Sequence, residues 1–334
     1  MAGPVAVRKV GTADVAAVLL CAIGFFVPWL TQNLFAYSIV NQILIAVVAA
    51  SSVFVMLRMN LLTIAVPAFM AIGGYAAAVV ALTGVTNLLA LVLVSFLVPA
   101  LVALPLGALV LRLRGVYFVL VTYVFGEILQ LMLFETPSIT GGSNGLAGIP
   151  AASLFGVALT SSRDGLLIAA AVAVLAVLIT AVVCQHFWQE FAAIDENEVL
   201  AQSLGLVVWR YKALGFVVAG GLAGLAGFSL VTMLLTAHPS SFASLSSVNY
   251  IAYAIVGGRT SILGPVLGST FLVTASNFFG SKGEYSQGLF GLLIVLVITA
   301  ARGGIVGTAA SVLRRGGSPA PAAARSESEQ HGPA

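Results

Sequence analysis

Apolar runs of roughly bilayer length follow one another along almost the whole of this chain, and that succession decides the solvent in which it folds. A hydrocarbon core about 30 Å thick is crossed by roughly 20 apolar residues in a helix. Segments of this kind lie at 13–31, 35–57, 60–82, 87–111, 115–134, 164–184, 212–235, 247–258, 263–280 and 286–301. The eighth is short and reads as a half-helix or re-entrant segment as readily as a full crossing. Of the 334 residues, 60% are hydrophobic and only 7% charged, against about 25% charged in a soluble globular domain. No water-soluble packing hides that much apolar surface. The expected fold is therefore all-α, a polytopic membrane helical bundle of about ten transmembrane segments. Pro67, Pro99, Pro105 and Pro265 fall within the runs, which membrane helices tolerate when neighbours re-satisfy the freed backbone groups. Arg8 and Lys9 precede the first run in the manner of a signal peptide, but no clean small-x-small cleavage site follows, so the run reads as an uncleaved first span.

Basic residues then orient the bundle. With the N-terminus in the cytoplasm and alternating spans, cytoplasmic segments carry Arg8, Lys9, Arg58, Arg112, Arg114, Arg210, Lys212, Arg259, Arg302, Arg314, Arg315 and Arg325, while outer segments carry Arg163 and Lys282. The 12-to-2 division of the 14 basic residues follows the positive-inside bias. It favours ten crossings, or a count of the same parity, in a membrane, surrounded by lipid. A net charge of +3 gives no sign of nucleic-acid binding. Cys21 and Cys184 lie inside apolar runs without a CxxC neighbour and read as buried thiols. His186, His238 and His331 are too scattered for a metal motif.

Two connections interrupt the oil. Residues 185–212 form a polar island holding Glu190, Asp195, Glu196 and Glu198, four of the 11 acidic residues. Within it FAAIDENEVLAQSLG reads as helical, with acids toward the start and Gly205 suited to the C′ position. This is either a solvated amphipathic loop helix or a short helix that lies in the groove of a cytosolic partner. Residues 135–163, on the outer side, contain TPSITGGSNGLAGIP, which is either a plain surface loop or an outward docking surface. Residues 1–312 constitute one transmembrane domain, and the Ala/Pro/Ser/Gly-rich tail 313–334 has the composition of a disordered cytoplasmic segment.

Glu127 is the one acid deep inside an apolar run. An ionisable group at that depth is a functional candidate by default, the alternative being a structural polar contact between helices. Asn41, Gln42, Thr63, Thr122, Gln130 and Asn277 are polar groups within spans that line a path or bond between helices. The small-xxx-small run Gly220, Gly221, Gly224 and Gly227 reads as helix packing. No nucleophile–base pair, GxGxxG or GxxxxGK[ST] pattern is present. The chain therefore reads as a non-enzyme with no cofactor of its own, and any ATP is bound by another polypeptide.

Several stretches together resemble the permease subunits of branched-chain amino acid ABC transporters, the LivM/LivH type. LRLRGVYFVLVTYVFGEILQLMLFETPSITGGSNGLAGIP carries the match at Arg114, Gly115, Tyr117, Phe118, Thr122, Glu127 and Thr140–Pro150. AIDENEVLAQSLGLVVWRYKALGFVVAGGLAGLAG is similar to that family's coupling loop at Glu198, Ala201, Gly205, Tyr211 and Lys212. VGGRTSILGPVLGS and a closing Arg302, Gly303 and Gly307 are similar to two further motifs, so the likeness spans roughly residues 60–307.

The resemblance implies a translocation subunit for branched-chain or related amino acids. Its implied partners are a second permease, two cytosolic ATPases and an outward-side solute-binding protein. It implies coupling to the ATPase through Asp195, Glu196, Glu198, Ala201 and Gly205. It also implies a path past Thr63, Thr122 and Glu127, and a docking loop formed by Thr140, Gly141, Gly142, Ser143, Asn144 and Gly145. Three features depart from the family pattern. Ala192 and Asp195 stand where basic residues are usual, which implies a compensating charge on the partner ATPase. NLLTIAVP at 60–67 replaces a G-Q-x-S-x-G-H-A pattern, and Thr260 replaces a glycine. The same superfamily handles urea, short amides and sugars. A secondary carrier that uses Glu127 for proton transfer is the rival from another class.

Overall fold

The computed structural model describes residues 12–30, 33–154, 156–280, 286–300 and 304–308. Arg8, Lys9, Lys282, Arg302, Arg314, Arg315, Arg325 and the tail 313–334 lie outside them. The described residues are almost entirely helical: α1 Thr12–Ile23, α2 Val27–Leu30, α3 Leu34–Leu57, α4 Val66–Leu82, α5 Leu88–Val110, α6 Val116–Glu135, α7 Pro137–Thr140, α8 Ser162–His186, α9 Trp188–Glu196, α10 Glu198–Ser203, α11 Val208–Leu234, α12 Ser246–Gly257, α13 Leu263–Gly280 and α14 Ser286–Ala300. The one sheet among them is a two-residue hairpin, β1 Ser153–Leu154 against β2 Val157–Ala158. Five helices, α3, α5, α6, α8 and α11, are long and apolar enough to cross a membrane by themselves.

Helix α11 is the axis of the bundle, packed on α3, α4 and α5. Its glycines let those neighbours reach the backbone. A β-carbon at Gly227 would strike the Met70 carbonyl of α4, and one at Gly224 would strike the Ser95 carbonyl of α5. A second close approach joins α12 to α13, where a β-carbon at Gly268 would meet the Tyr253 carbonyl. Helix starts are capped where the sequence supplies the side chain. Asn33 accepts from Phe35 N–H at 3.0 Å, Asn87 accepts from Leu89 N–H at 3.0 Å, and Ser161 with Asp164 forms a full capping box on α8.

One end of the bundle holds the α9–α10 island and the other holds the loop around residues 141–160. Of the seven described basic side chains, Arg58, Arg112, Arg114, Arg210, Lys212 and Arg259 sit toward the island end and Arg163 at the loop end. Two expectations need correction. The apolar run 13–31 is broken at Gly24–Phe26 into α1 and α2. The island is two helices rather than one. Asn197 adopts an extended backbone, φ −158° and ψ 104°, and its side chain accepts from the N–H groups of Val199 and Leu200. A side chain that caps a new helix start competes with continuation of the old one, and here the cap wins.

The short eighth run is also clarified. Helix α12 has 12 residues, a rise of about 18 Å, well under the bilayer core. It is preceded by an irregular buried segment in which Ala237, Pro239, Phe242 and Ser244 are all enclosed. Irregular backbone also leads into α4, through residues 61–65, with Leu61, Thr63 and Ala65 buried. Interrupted backbone at membrane depth is tolerated where protein encloses it. The two interruptions come from opposite directions, one following α3 at the island end and the other following α11 at the loop end.

Candidate functional site

The island is fastened from below by apolar residues and at its sides by charge. Phe191 and Ile194 of α9 and Ala201 of α10 are buried in the core. Helix α10 ends at Leu204, and Gly205 follows in the left-handed region at φ +89°, the C′ geometry expected for that glycine. Glu198 opens α10. Its Oε2 lies 2.8 Å from Lys212 Nζ on α11, and its Oε1 lies 3.6 Å from the Arg114 guanidinium just before α6. Asp195 near the end of α9 is 3.6 Å from Arg259 in the α12–α13 turn. Arg259 in turn donates to the Leu57 carbonyl at 3.0 Å and to Asn60 Oδ1 at 3.3 Å, at the end of α3. The acid at position 195 thus has a cation within this chain, so its departure from the family pattern needs no compensating charge on an ATPase. Val199, Leu200 and Leu204 point away from the core, with Leu204 81% exposed, and Trp209 extends that apolar face.

Sequence reasoning singled out Glu198 but passed over Lys212 and Arg259 as partners. A signal for Lys212 was present, because it shares the inward helical stripe of Gly215, Phe216 and Ala219. A cation on a buried stripe requires a counter-charge.

The path residues separate into two groups. Thr122 reaches the backbone next to Thr63. The Ile64 N–H donates to Thr122 Oγ1 at 3.3 Å, Thr122 donates to the Val119 carbonyl at 2.9 Å, and Thr63 accepts from Ala65 N–H at 3.2 Å. Both threonines are enclosed and serve to satisfy the irregular segment before α4. Four residues along from Thr122, Gly126 packs against Ser244, so closely that a β-carbon there would lie 2.8 Å from Ser244 Oγ. The middle of α6 therefore touches both irregular segments. Glu127 is not brought to Thr63 or Thr122. It lies about 100° around the helix from Gly126, half-buried, with no hydrogen bond or ion pair to any described residue.

Of the other polar span residues, Asn277 donates to Gln42 Oε1 at 3.3 Å. Asn41 lines a cavity of about 490 Å³ at the loop end with Tyr37, Ser38 and Thr232.

The loop at the opposite end is rigidly built. Thr140 is buried and donates to the carbonyls of Leu133 and Thr136 while accepting from Gly142 N–H at 3.2 Å. Gly141, Gly142 and Gly145 all have positive φ, and a β-carbon at Gly145 would strike the Ala237 carbonyl. Leu146 and Ala237 exchange backbone hydrogen bonds of 2.8 and 2.9 Å, and His238 Nε2 lies 2.8 Å from the Ser143 carbonyl. His238, which the sequence suggested no use for, is thus the pin of this loop. Ser143 and Asn144 are left exposed at its tip. No group of three His, Cys, Asp or Glu side chains is placed to hold a metal among the described residues.

Comparison with known proteins adds the following. The family model described as "Branched-chain amino acid transport system / permease component" matches residues 35–298. The high-affinity branched-chain amino acid transport system permease protein LivM of Salmonella typhimurium is 31% identical over 217 residues, covering 58% of this chain and 51% of the relative. LivM of Escherichia coli K12 is 30% identical over the same length and coverage. The chain thus spans about half the length of these relatives. No solved structure gives a significant match.

Proposed function

Because the chain belongs to the branched-chain amino acid transport permease family and is a multi-pass protein of the inner membrane, we propose that it is the translocation subunit of an ABC importer for branched-chain or related amino acids, driven by a separate ATPase. The observation that carries this reading is the island. It is anchored by buried Phe191, Ile194 and Ala201, yet it presents Val199, Leu200 and Leu204 outward from a capped helix. Exposed apolar side chains on a short, held helix are the means by which a helix enters a partner's groove, and the concentration of basic residues at this end supports a cytoplasmic location.

In this reading Asp195, Glu196, Glu198, Ala201 and Gly205 shape the coupling element. A second permease covers the outward flank of α6, where Glu127 faces the path between the two chains, while Thr63 and Thr122 hold the interrupted segment. The tip of the 140–145 loop meets a solute-binding protein. Closure of the ATPase pair shifts the population between inward- and outward-open states. Substituting Leu204→Asp, which touches nothing buried, is expected to abolish co-purification of the ATPase and uptake of leucine while membrane insertion continues. Normal uptake in that variant would sink the coupling role.

A secondary carrier has one observation in its favour, that Glu127 has no hydrogen bond or ion pair among the described residues. Uptake that survives ATP depletion and collapses with an uncoupler would select it.

A further inference from the structure

The two arms of the island are held very differently. On the α10 arm, the side chain of Lys212 is 4% exposed and its ammonium lies 2.8 Å from Glu198. An enclosed charge of this kind is held by its counter-ion, because separation would leave a cation buried without a partner. The same carboxylate also faces Arg114, at the start of the turn into α6. On the α9 arm, Asp195 and Arg259 are 46% and 43% exposed and 3.6 Å apart, so water competes for both and the pair is worth little. Arg259 retains its bonds to Leu57 and Asn60 whether or not Asp195 stays. Between the arms stands the single extended residue Asn197, which breaks the helix.

Resting on the importer reading above, we propose that Lys212 and Arg259 are positioning residues of the coupling step. Lys212 locks the α10 arm to α11 so that the two move as one piece, while Arg114 before α6 adds only an exposed contact to the same carboxylate. Arg259 latches the α9 arm to the α3 and α12–α13 corner by a contact that opens and closes about Asn197. A push on α10 is thereby delivered to α11, the helix packed on α3, α4 and α5, while α9 is free to swing.

The test uses the assembled transporter, with its ATPases and binding protein, in lipid vesicles, reading leucine taken up per ATP hydrolysed. Lys212→Met is expected to retain the ATPase yet to lower that ratio by roughly tenfold or more, as loss of a buried pair implies. Lys212→Arg, which keeps a cation beside Glu198, is expected to retain much of it, a recovery that a purely structural role in docking would not give. Asp195→Asn, which opens the exposed latch, is expected to change the ratio by at most about fivefold. Where Lys212→Met fails to accumulate in the membrane, Lys212→Gln, which keeps a donor toward Glu198 but not the charge, is read instead, with a smaller loss in the same direction. An unchanged ratio in Lys212→Met or, failing that variant, in Lys212→Gln overturns the proposal, as does a loss in Asp195→Asn equal to that in Lys212→Met. A wild-type complex that retains no ATPase overturns the importer reading itself. A coupled wild type with insensitive variants removes only the linkage.

Discussion

Helices α11 and α6 cross the same bundle and are built to opposite plans. In α11 the residues at 220, 221, 224 and 227 are glycines; neighbouring backbones press against 224 and 227 from two sides, and the Phe96 ring packs on 221. In α6 only Phe118, Thr122 and Gly126 are buried, a narrow stripe at four-residue spacing, while Tyr117, Leu120, Val124, Ile128 and Leu131 face out of the chain. Each is apolar enough to span a membrane. Mean hydropathy therefore says nothing about which is the keystone and which the open flank. Side-chain size does, because in lipid there is no hydrophobic drive between helices, and close backbone packing through small residues is what holds them together.

The sharpest way to break this contrast is Gly227→Leu. Its β-carbon would meet the Met70 carbonyl, a backbone atom that cannot rotate away. The expected outcome is loss of roughly 3 kcal/mol or more, beyond the usual range for overpacking, read as failure to accumulate or a collapsed thermal midpoint in detergent. An exchange on the outward face of α6, Val124→Leu, is expected to stay within about 0.5 kcal/mol of wild type. Equal costs at the two sites would remove the distinction.

An intermediate effect is expected where α6 does make a specific bond. Thr122→Val keeps the shape but leaves the Ile64 N–H, 3.3 Å from the lost hydroxyl, without its acceptor. An orphaned buried donor costs about 1–3 kcal/mol, measured as a lowered thermal midpoint. Thr122→Ser, which keeps the oxygen, should recover most of it. If valine were as stable as serine, the irregular segment before α4 would have to be held by something else.

The contrast also separates what the sequence reveals from what it hides. Ten apolar runs announce an all-helical membrane protein, and small-xxx-small spacing marks α11 as a packing helix. Gly205 is legible as a helix stop because few other residues accept its φ. The break at Asn197 is harder to read, since good helix formers stand on both sides of it and only the capping geometry shows that the asparagine wins. The ion pairs were hidden for a different reason. Asp195 and Arg259 are 64 residues apart in sequence, and nothing local connects them, so an acid in an unusual place was read as a message to another protein. Likewise, the threonines at 63 and 122 read as groups that line a path or bond between helices, and their oxygens accept from local backbone N–H groups.

Glu127 yields the smallest effect on stability and the most pointed test of the open flank. Its carboxyl makes no bond within the described chain and is half-buried on the side of α6, so Glu127→Gln removes no internal partner and should shift stability by less than about 0.5 kcal/mol. If the flank faced lipid alone, glutamine would replace the acid at little cost, and uptake would not change. If a second permease covers the flank and the group meets a polar path, the charge or its proton is used. Loss of hydrogen bonds to a charged group, about 1.5–3 kcal/mol, then corresponds to a fall in uptake of roughly tenfold or more at unchanged stability. Uptake by the assembled transporter measured beside the thermal midpoint of the isolated subunit decides between the two, because only the covered flank predicts that the first falls while the second stays still.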